Sequence, residues 1–225
     1  ELASGLLKDE ANAWFVGEPF KVFYDYKKEG IWQLGEEAAA AANGQEPGDI
    51  KVQDVDGNGV ITTDDRIIYS QRPDVTFGFN NTFNYKGFDL SVFLYARLGQ
   101  WIAYDYNTTY RINALENGGN VDYWTPENPT NAFPRPNKSK SYTQVTYYST
   151  LKYEDGSFFK IRDITLGYTF KPELLKHLNL SRLRVYATAK NFFTFSKIDN
   201  YDPEQGGSIS FPMTKQLVFG LNVEF

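Results

Sequence analysis

The chain has 225 residues, 41% hydrophobic and 23% charged, with a formal net charge of −5, which suits one or two folded domains and excludes nucleic acid, whose phosphates call for a basic face. Cysteine is absent, so disulfide-stapled folds and thiol chemistry are excluded as well. A mean hydropathy of −0.48 with no long uncharged apolar run excludes a transmembrane helix, but not a transmembrane barrel, whose alternating strands average out polar.

The opening Glu1-Leu2-Ala3-Ser4-Gly5 lacks the positive segment and apolar core of a signal peptide, so the expectation is a cytosolic chain, a processed one or a fragment. Glu36–Ala42 reads as a short helix stopped by Asn43-Gly44. Next comes Asp54-Val55-Asp56-Gly57-Asn58-Gly59-Val60-Ile61-Thr62-Thr63-Asp64-Asp65. Its oxygens at the first, third and fifth places, glycine at the sixth and carboxylate at the last fit a calcium loop. Calcium takes several hard oxygen ligands, and the side chains of Asp54, Asp56 and Asn58, the Val60 carbonyl, Thr62 directly or through water, and Asp65 supply them. Gly59 permits the sharp turn and Ile61 tucks inward. Asp65 stands where sensor loops carry Glu, and its shorter arm points to a weaker, structural site. The alternative is an Asx-rich turn between two strands.

Strand signals come next. Val75, Phe77, Phe79, Phe83 and Tyr85 share one face of an alternating run that only Asn81 interrupts. After a tight Lys86-Gly87 turn, Phe88, Leu90, Val92, Leu94, Ala96 and Leu98 continue the pattern, making a long hairpin. The long connection 101–156 carries Trp101, Tyr104, Tyr106, Tyr123 and Trp124 among other aromatics. Such rings contact a sugar or a partner, or pack the loop and form a girdle at the lipid boundary. Prolines between Thr125 and Pro136 stiffen an ordered excursion. Ile164, Leu166, Tyr168 and Phe170 alternate next; Pro172–Leu178 reads as one or two helical turns; Leu183, Val185, Ala187 and Ala189 alternate again. The last run places Leu217, Phe219, Leu221, Val223 and Phe225 on one face. Runs of about ten residues match a tilted bilayer crossing, and the connections alternate short and long as in outer-membrane barrels.

No residue set supports an enzyme. His177 is the only histidine, so it has no histidine or cysteine partner for a catalytic or metal site. Glu154 with Asp155, and Asp202 with Glu204, read as solvated loop charge rather than a glycosidase pair. No phosphate loop or serine elbow appears.

Tyr26-Lys27-Lys28-Glu29-Gly30-Ile31-Trp32-Gln33, Pro47-Gly48-Asp49-Ile50-Lys51 leading into the acidic loop, Pro73–Phe79, Tyr85–Val92, Phe159–Tyr168, Leu183–Tyr186, Ala189–Phe195, Tyr201-Asp202-Pro203-Glu204 and the final Phe225 form a set of segments. Together they resemble the SusC/RagA-type TonB-dependent outer-membrane transporters of Bacteroidetes. The resemblance implies an all-β fold: an antiparallel transmembrane β-barrel segment, the C-terminal strands of a large receptor barrel. Residues 1–72 then form an extracellular region with the calcium-like loop, and 73–225 the barrel strands with the extracellular loop 101–156. The implied partners are a SusD-like surface lipoprotein, TonB through a segment not in this chain, the remainder of the barrel, membrane lipid and a glycan or peptide substrate. About five strands fall short of the roughly eight of the smallest barrels, so the chain is expected to be one piece, in the outer membrane, with its C-terminus periplasmic. Phe225 resembles the terminal aromatic read by the barrel-insertion machinery. The alternative is a calcium-stabilised surface binding or adhesion module without transport.

Overall fold

The computed structural model describes residues 7–20, 22–113 and 117–225; the opening Glu1–Gly5 lies outside them. In chain order the strands are β1 (Lys8–Asp9), β2 (Trp14–Phe15), β3 (Val22–Tyr26), β4 (Lys28–Ile31), β5 (Ile50–Val52), β6 (Arg66–Ser70), β7 (Val75–Tyr85), β8 (Phe88–Leu98), β9 (Trp101–Ala103), β10 (Tyr153–Asp155), β11 (Phe158–Thr169), β12 (Arg182–Ser196) and β13 (Gln216–Glu224). Two short α-helices join them, α1 (Glu37–Ala42) and α2 (Pro172–Leu175). No described helix is long and apolar enough to cross a membrane. The chain divides into two compact units.

One unit comprises residues 73–100, 156–205 and 210–225. Its five strands form one antiparallel sheet in the order β13-β12-β11-β8-β7. The β7–β8 hairpin closes on Lys86 and Gly87, whose φ angles of 47° and 88° are the paired positive values that let a two-residue turn follow the strands' right-handed twist. Register then aligns the apolar residues. Phe79 faces Leu94, Leu90 faces Leu166, Leu166 faces Ala187, and Ala187 faces Phe219, so the alternation in each strand merges into one apolar face. Much of that face is open: Phe83 is 61% and Phe219 74% exposed.

The opposite face is polar and closely fitted. Arg184 donates from Nε (2.9 Å) and Nη2 (2.5 Å) to the two oxygens of Asp89, and this bidentate pair lies over Gly167. A Cβ there would come within 2.6 Å of both partners, so glycine is what lets the pair form. Gly220 does the same for Tyr186, whose ring occupies the place of a side chain at 220.

The structure extends two strands beyond the alternation read from the sequence. β11 begins at Phe158 and β12 runs on to Ser196. A bulge between Ile161 and Asp163 inserts Arg162, so Phe159 and Ile161 share a face with Ile164 and Leu166 despite opposite parity. Asn191, at φ 59°, accommodates the irregularity on β12.

The second unit comprises residues 7–20, 22–72, 101–113, 117–155 and 206–209 among those described. It is built from two-stranded pairs, β1–β2, β3–β6, β4–β5 and β9–β10. Its core gathers Ile31, Ile50 and Val52 with Tyr110, Ile112, Trp124, Tyr148 and Leu151, joining segments far apart in sequence. Each such large apolar side chain contributes roughly 1.5–3 kcal/mol on burial. Polar ties reinforce the join: Ile31 N–H donates to Asn131 Oδ1 at 3.0 Å, Lys28 Nζ to the Ala132 carbonyl at 2.6 Å, and Arg135 N–H to the Gly48 carbonyl at 2.9 Å. The proline-bearing excursion closes on itself through Trp124 N–H to the Phe133 carbonyl (3.0 Å) and Phe133 N–H to the Asp122 carbonyl (3.2 Å).

Candidate functional site

The acidic loop folds around its own amides. Asp54 accepts from Gly57 N–H and Gly59 N–H, each at 2.8 Å, Asp56 from Asn58 N–H at 3.0 Å, and Asn58 Oδ1 from Val60 N–H at 2.8 Å. Gly57 and Gly59 adopt φ of 72° and 84°, a region open to glycine, and Gly59 makes the expected sharp turn. Thr62 caps a 3-10 turn over Thr63–Asp65. Its hydroxyl accepts from Asp64 N–H (3.2 Å), and its own N–H donates to Asp65 Oδ2 at 2.7 Å.

Asp65 is fully buried and also accepts Val55 N–H at 2.8 Å. The Thr62 amide above all holds its carboxyl below the usual carboxylate range; burial opposes this, and the Val55 and Asp56 amides and the Asp54 side chain add to the lowering. One carboxylate oxygen each of Asp54, Asp56 and Asp65 lies within 4.8 Å of the others. Three carboxylates at that spacing repel one another, and hard oxygens in this arrangement fit a hard divalent cation. Ile61 is partly buried against the unit's core, and its N–H donates to Asn43 Oδ1 at 3.3 Å, so the loop is pinned inward as its sequence indicates.

The five aromatic contact candidates separate by burial. Trp124 is buried in the core, with Nε1 donating to Gln33 Oε1 at 2.8 Å. Tyr104 is buried and stacks on Tyr106 with ring centroids 5.9 Å apart. Trp101 is half-buried, edge-on to Tyr69 at 4.8 Å. Tyr123 is exposed. Trp124 and Tyr104 thus pack inside the unit. None of the five lines the unit's open cleft of about 770 Å³, whose walls include Arg111, Tyr142, Tyr147 and Lys152.

Asp202 and Glu204, which read as solvated charge in the sequence, require a correction. Lys160 is completely buried on β11, and its Nζ lies 2.6 Å from Asp202 and 2.7 Å from Glu204, with Arg162 Nη1 3.0 Å from Glu204. The two carboxylates therefore clamp the segment after β12 onto the sheet. Sequence reading missed Lys160 because it lies beyond the bulge, outside the alternating run. The terminal aromatic Phe225 is 93% exposed, one residue past β13. His177 is also exposed, just after α2.

No protein-family model matches the chain. The TonB-dependent receptor P3 of Formosa agariphila is 31% identical over 93% of this chain and 22% of its own length. The TonB-dependent receptor SusC of Bacteroides thetaiotaomicron is 31% identical over 76% of this chain and 17% of its own. Among solved structures, the RagAB peptide importer in its open-open state superposes with a TM-score of 0.69 at 25% identity, over 100% of this chain and 25% of that one. The chain thus spans a quarter or less of the proteins it matches. They are receptors and importers rather than enzymes, in accord with the lack of a catalytic set in the sequence. With its antiparallel sheet of barrel-type strands, this chain belongs to the SusC/RagA-type TonB-dependent receptors.

Proposed function

We propose that the chain is the C-terminal part of an outer-membrane transporter that imports a glycan or peptide under a SusD-like lipoprotein lid, driven by TonB acting on a segment elsewhere in the receptor. The observation that carries this is the single apolar face running across β7, β8, β11, β12 and β13, large and exposed where a soluble protein would bury it. In this reading that face meets lipid, and the remainder of the barrel pairs with the free edges of β7 and β13, which would be costly in hydrocarbon. The Lys86-Gly87 turn and Phe225 face the periplasm, Phe225 also serving insertion. Residues 1–72 and the loop 101–156 face outward. Calcium, held by Asp54, Asp56, Asn58, Val60, Thr62 and Asp65, stiffens that outer region and takes no part in transport chemistry. Convergence of three carboxylates supports this, as does the hard-oxygen donor set.

The test uses the whole receptor in lipid, with single nitroxide-labelled cysteines placed in a chain that has none of its own. Phe219→Cys should be relaxed by oxygen dissolved in the bilayer, and Thr82→Cys, exposed on the other face, by a water-soluble nickel complex. Equal relaxation of both sites by the nickel complex would overturn the lipid-facing assignment.

A further inference from the structure

The end of the large sheet that carries its short turns changes character in steps. Across β7, β8 and β11 the row Phe83, Leu90 and Leu166 is wholly apolar. One row nearer the turns stand Tyr85, Phe88 and Tyr168, rings of which two carry a hydroxyl. Phe88 and Tyr168 pack with centroids 4.7 Å apart, and Phe170 meets Tyr168 edge-on at 5.0 Å. Past that row come Lys86 and Lys171. Thr169 N–H donates to the Gly87 carbonyl at 2.8 Å, so the chain leaves β11 toward Lys171 beside the Lys86-Gly87 turn. At about 3.3 Å per residue, Lys86 stands roughly 10 Å beyond Phe83 along the strand. Apolar, amphipathic and cationic zones in that order match the hydrocarbon, interface and phosphate levels of one leaflet.

The lysines are open to a ligand. The connections 86–87 and 170–181 hold three lysines and one glutamate, in a chain whose net charge is −5. Lys86 and Lys171 are exposed, and neither forms an ion pair with a described carboxylate. Lys86 Nζ lies 5.1 Å over the Tyr85 ring, which ties the cation to the amphipathic row. Its backbone has a φ of 47°, where a two-residue turn favours Asn or Gly, so turn geometry does not account for a lysine. Leu174, one helical turn past Lys171, is 61% exposed, whereas Leu175 is buried. A small soluble anion would need the cations alone. Exposed rings and a leucine at the same rim call for a ligand with a charged head and an apolar body.

We infer that this rim binds an anionic phospholipid, its phosphate met by Lys86 and Lys171 and its chains by Tyr85, Phe88, Tyr168 and Leu174. The assignment rests on the lipid-facing reading of the sheet and adds the headgroup class selected at its turn end. The test places a bimane fluorophore at Phe83→Cys, one row deeper, in the whole receptor reconstituted into phosphatidylcholine vesicles. Quenching is measured with nitroxide-labelled phosphatidylglycerol and with phosphatidylcholine carrying the same label. Half-quenching should need roughly fivefold less phosphatidylglycerol, the effect of about one lysine near a charged headgroup, and the preference should shrink as salt rises. The double variant Lys86→Gln, Lys171→Gln should lose the preference while phosphatidylcholine quenches as before, which shows the barrel intact. Lys86→Arg with Lys171→Arg should keep it. Replacing chloride by inorganic phosphate at equal ionic strength should change nothing. Equal quenching by the two lipids, a preference that survives the glutamine variant, or specific displacement by inorganic phosphate would each overturn the headgroup assignment and leave the lipid-facing reading standing. Quenching by neither lipid would overturn both.

Discussion

Replacing Lys160 with methionine tests whether the segment after β12 is held by charge. The lysine is wholly buried, Asp202 and Glu204 are 11% and 9% exposed, and Arg162, at 39% exposed, contacts Glu204 alone of the pair. In the parent the four charges cancel; without Lys160 two shielded carboxylates face one partly solvated guanidinium. Removing one partner of a buried ion pair costs roughly 3–5 kcal/mol, since the other charge is left stranded, and an exposed pair such as the one Arg162 makes recovers at most about 1 kcal/mol.

If that cost is relieved by release of residues 197–205 rather than by unfolding the sheet, the open fraction rises roughly 10²- to 10³-fold at about 1.4 kcal/mol per tenfold. The assay is cleavage after Lys197, which every variant keeps, by a lysine-specific protease, in a regime where cleavage tracks the open population. Lys160→Met should be cut that much faster. The triple variant Lys160→Met, Asp202→Asn, Glu204→Gln should be cut at near the parental rate, because neutral partners strand no charge. Unchanged cleavage in Lys160→Met, or a triple variant cut as fast as the single one, would refute this account of the clamp.

Trp124→Ala removes a buried core ring and its bond to Gln33; it should destabilise its unit by about 3–5 kcal/mol and abolish its cooperative melting, whereas a pure ligand contact would leave melting intact. Calcium at about one hundred times its dissociation constant should stabilise the same unit by about 2.7 kcal/mol, read as a melting shift that chelator reverses. Asp54→Ala should show no shift, and a shift surviving in that variant would place calcium elsewhere. Because the folded Asp65 carboxyl titrates below its ordinary value, its stabilisation is complete above the unfolded carboxylate value, about pH 4. It is lost as pH falls further through the folded value. Asp65→Asn should flatten that acid limb of the stability profile, and an acid limb identical to the parent's would exclude Asp65 as its source.

Alternation is a property of consecutive residues, so the strands of the large sheet, the Lys86-Gly87 turn, α1 and the glycine-bearing acidic loop could be read from the chain itself. The period of two assigns Leu217, Phe219, Leu221 and Val223 to one face whatever they pair with. Pairing across the sheet is a different kind of information. That Leu166 lies between Leu90 and Ala187, merging separate stripes into one apolar face, depends on register, as does the bulge at Arg162 that broke the alternation and hid Lys160.

Burial likewise belongs to the folded chain. Trp124 and Tyr123 are neighbours of similar character, yet one is core and the other exposed, because the residues covering Trp124 come from β4, β5 and the turns near Tyr148. Asp202 and Glu204 looked solvated for the same reason, since the lysine that neutralises them is more than forty positions away. The sequence by itself determined which segments form the strands of the large sheet and which loop can gather oxygens. Only the tertiary structure decided which aromatics are structural and which charges are paired, because each depends on contacts between residues remote along the chain.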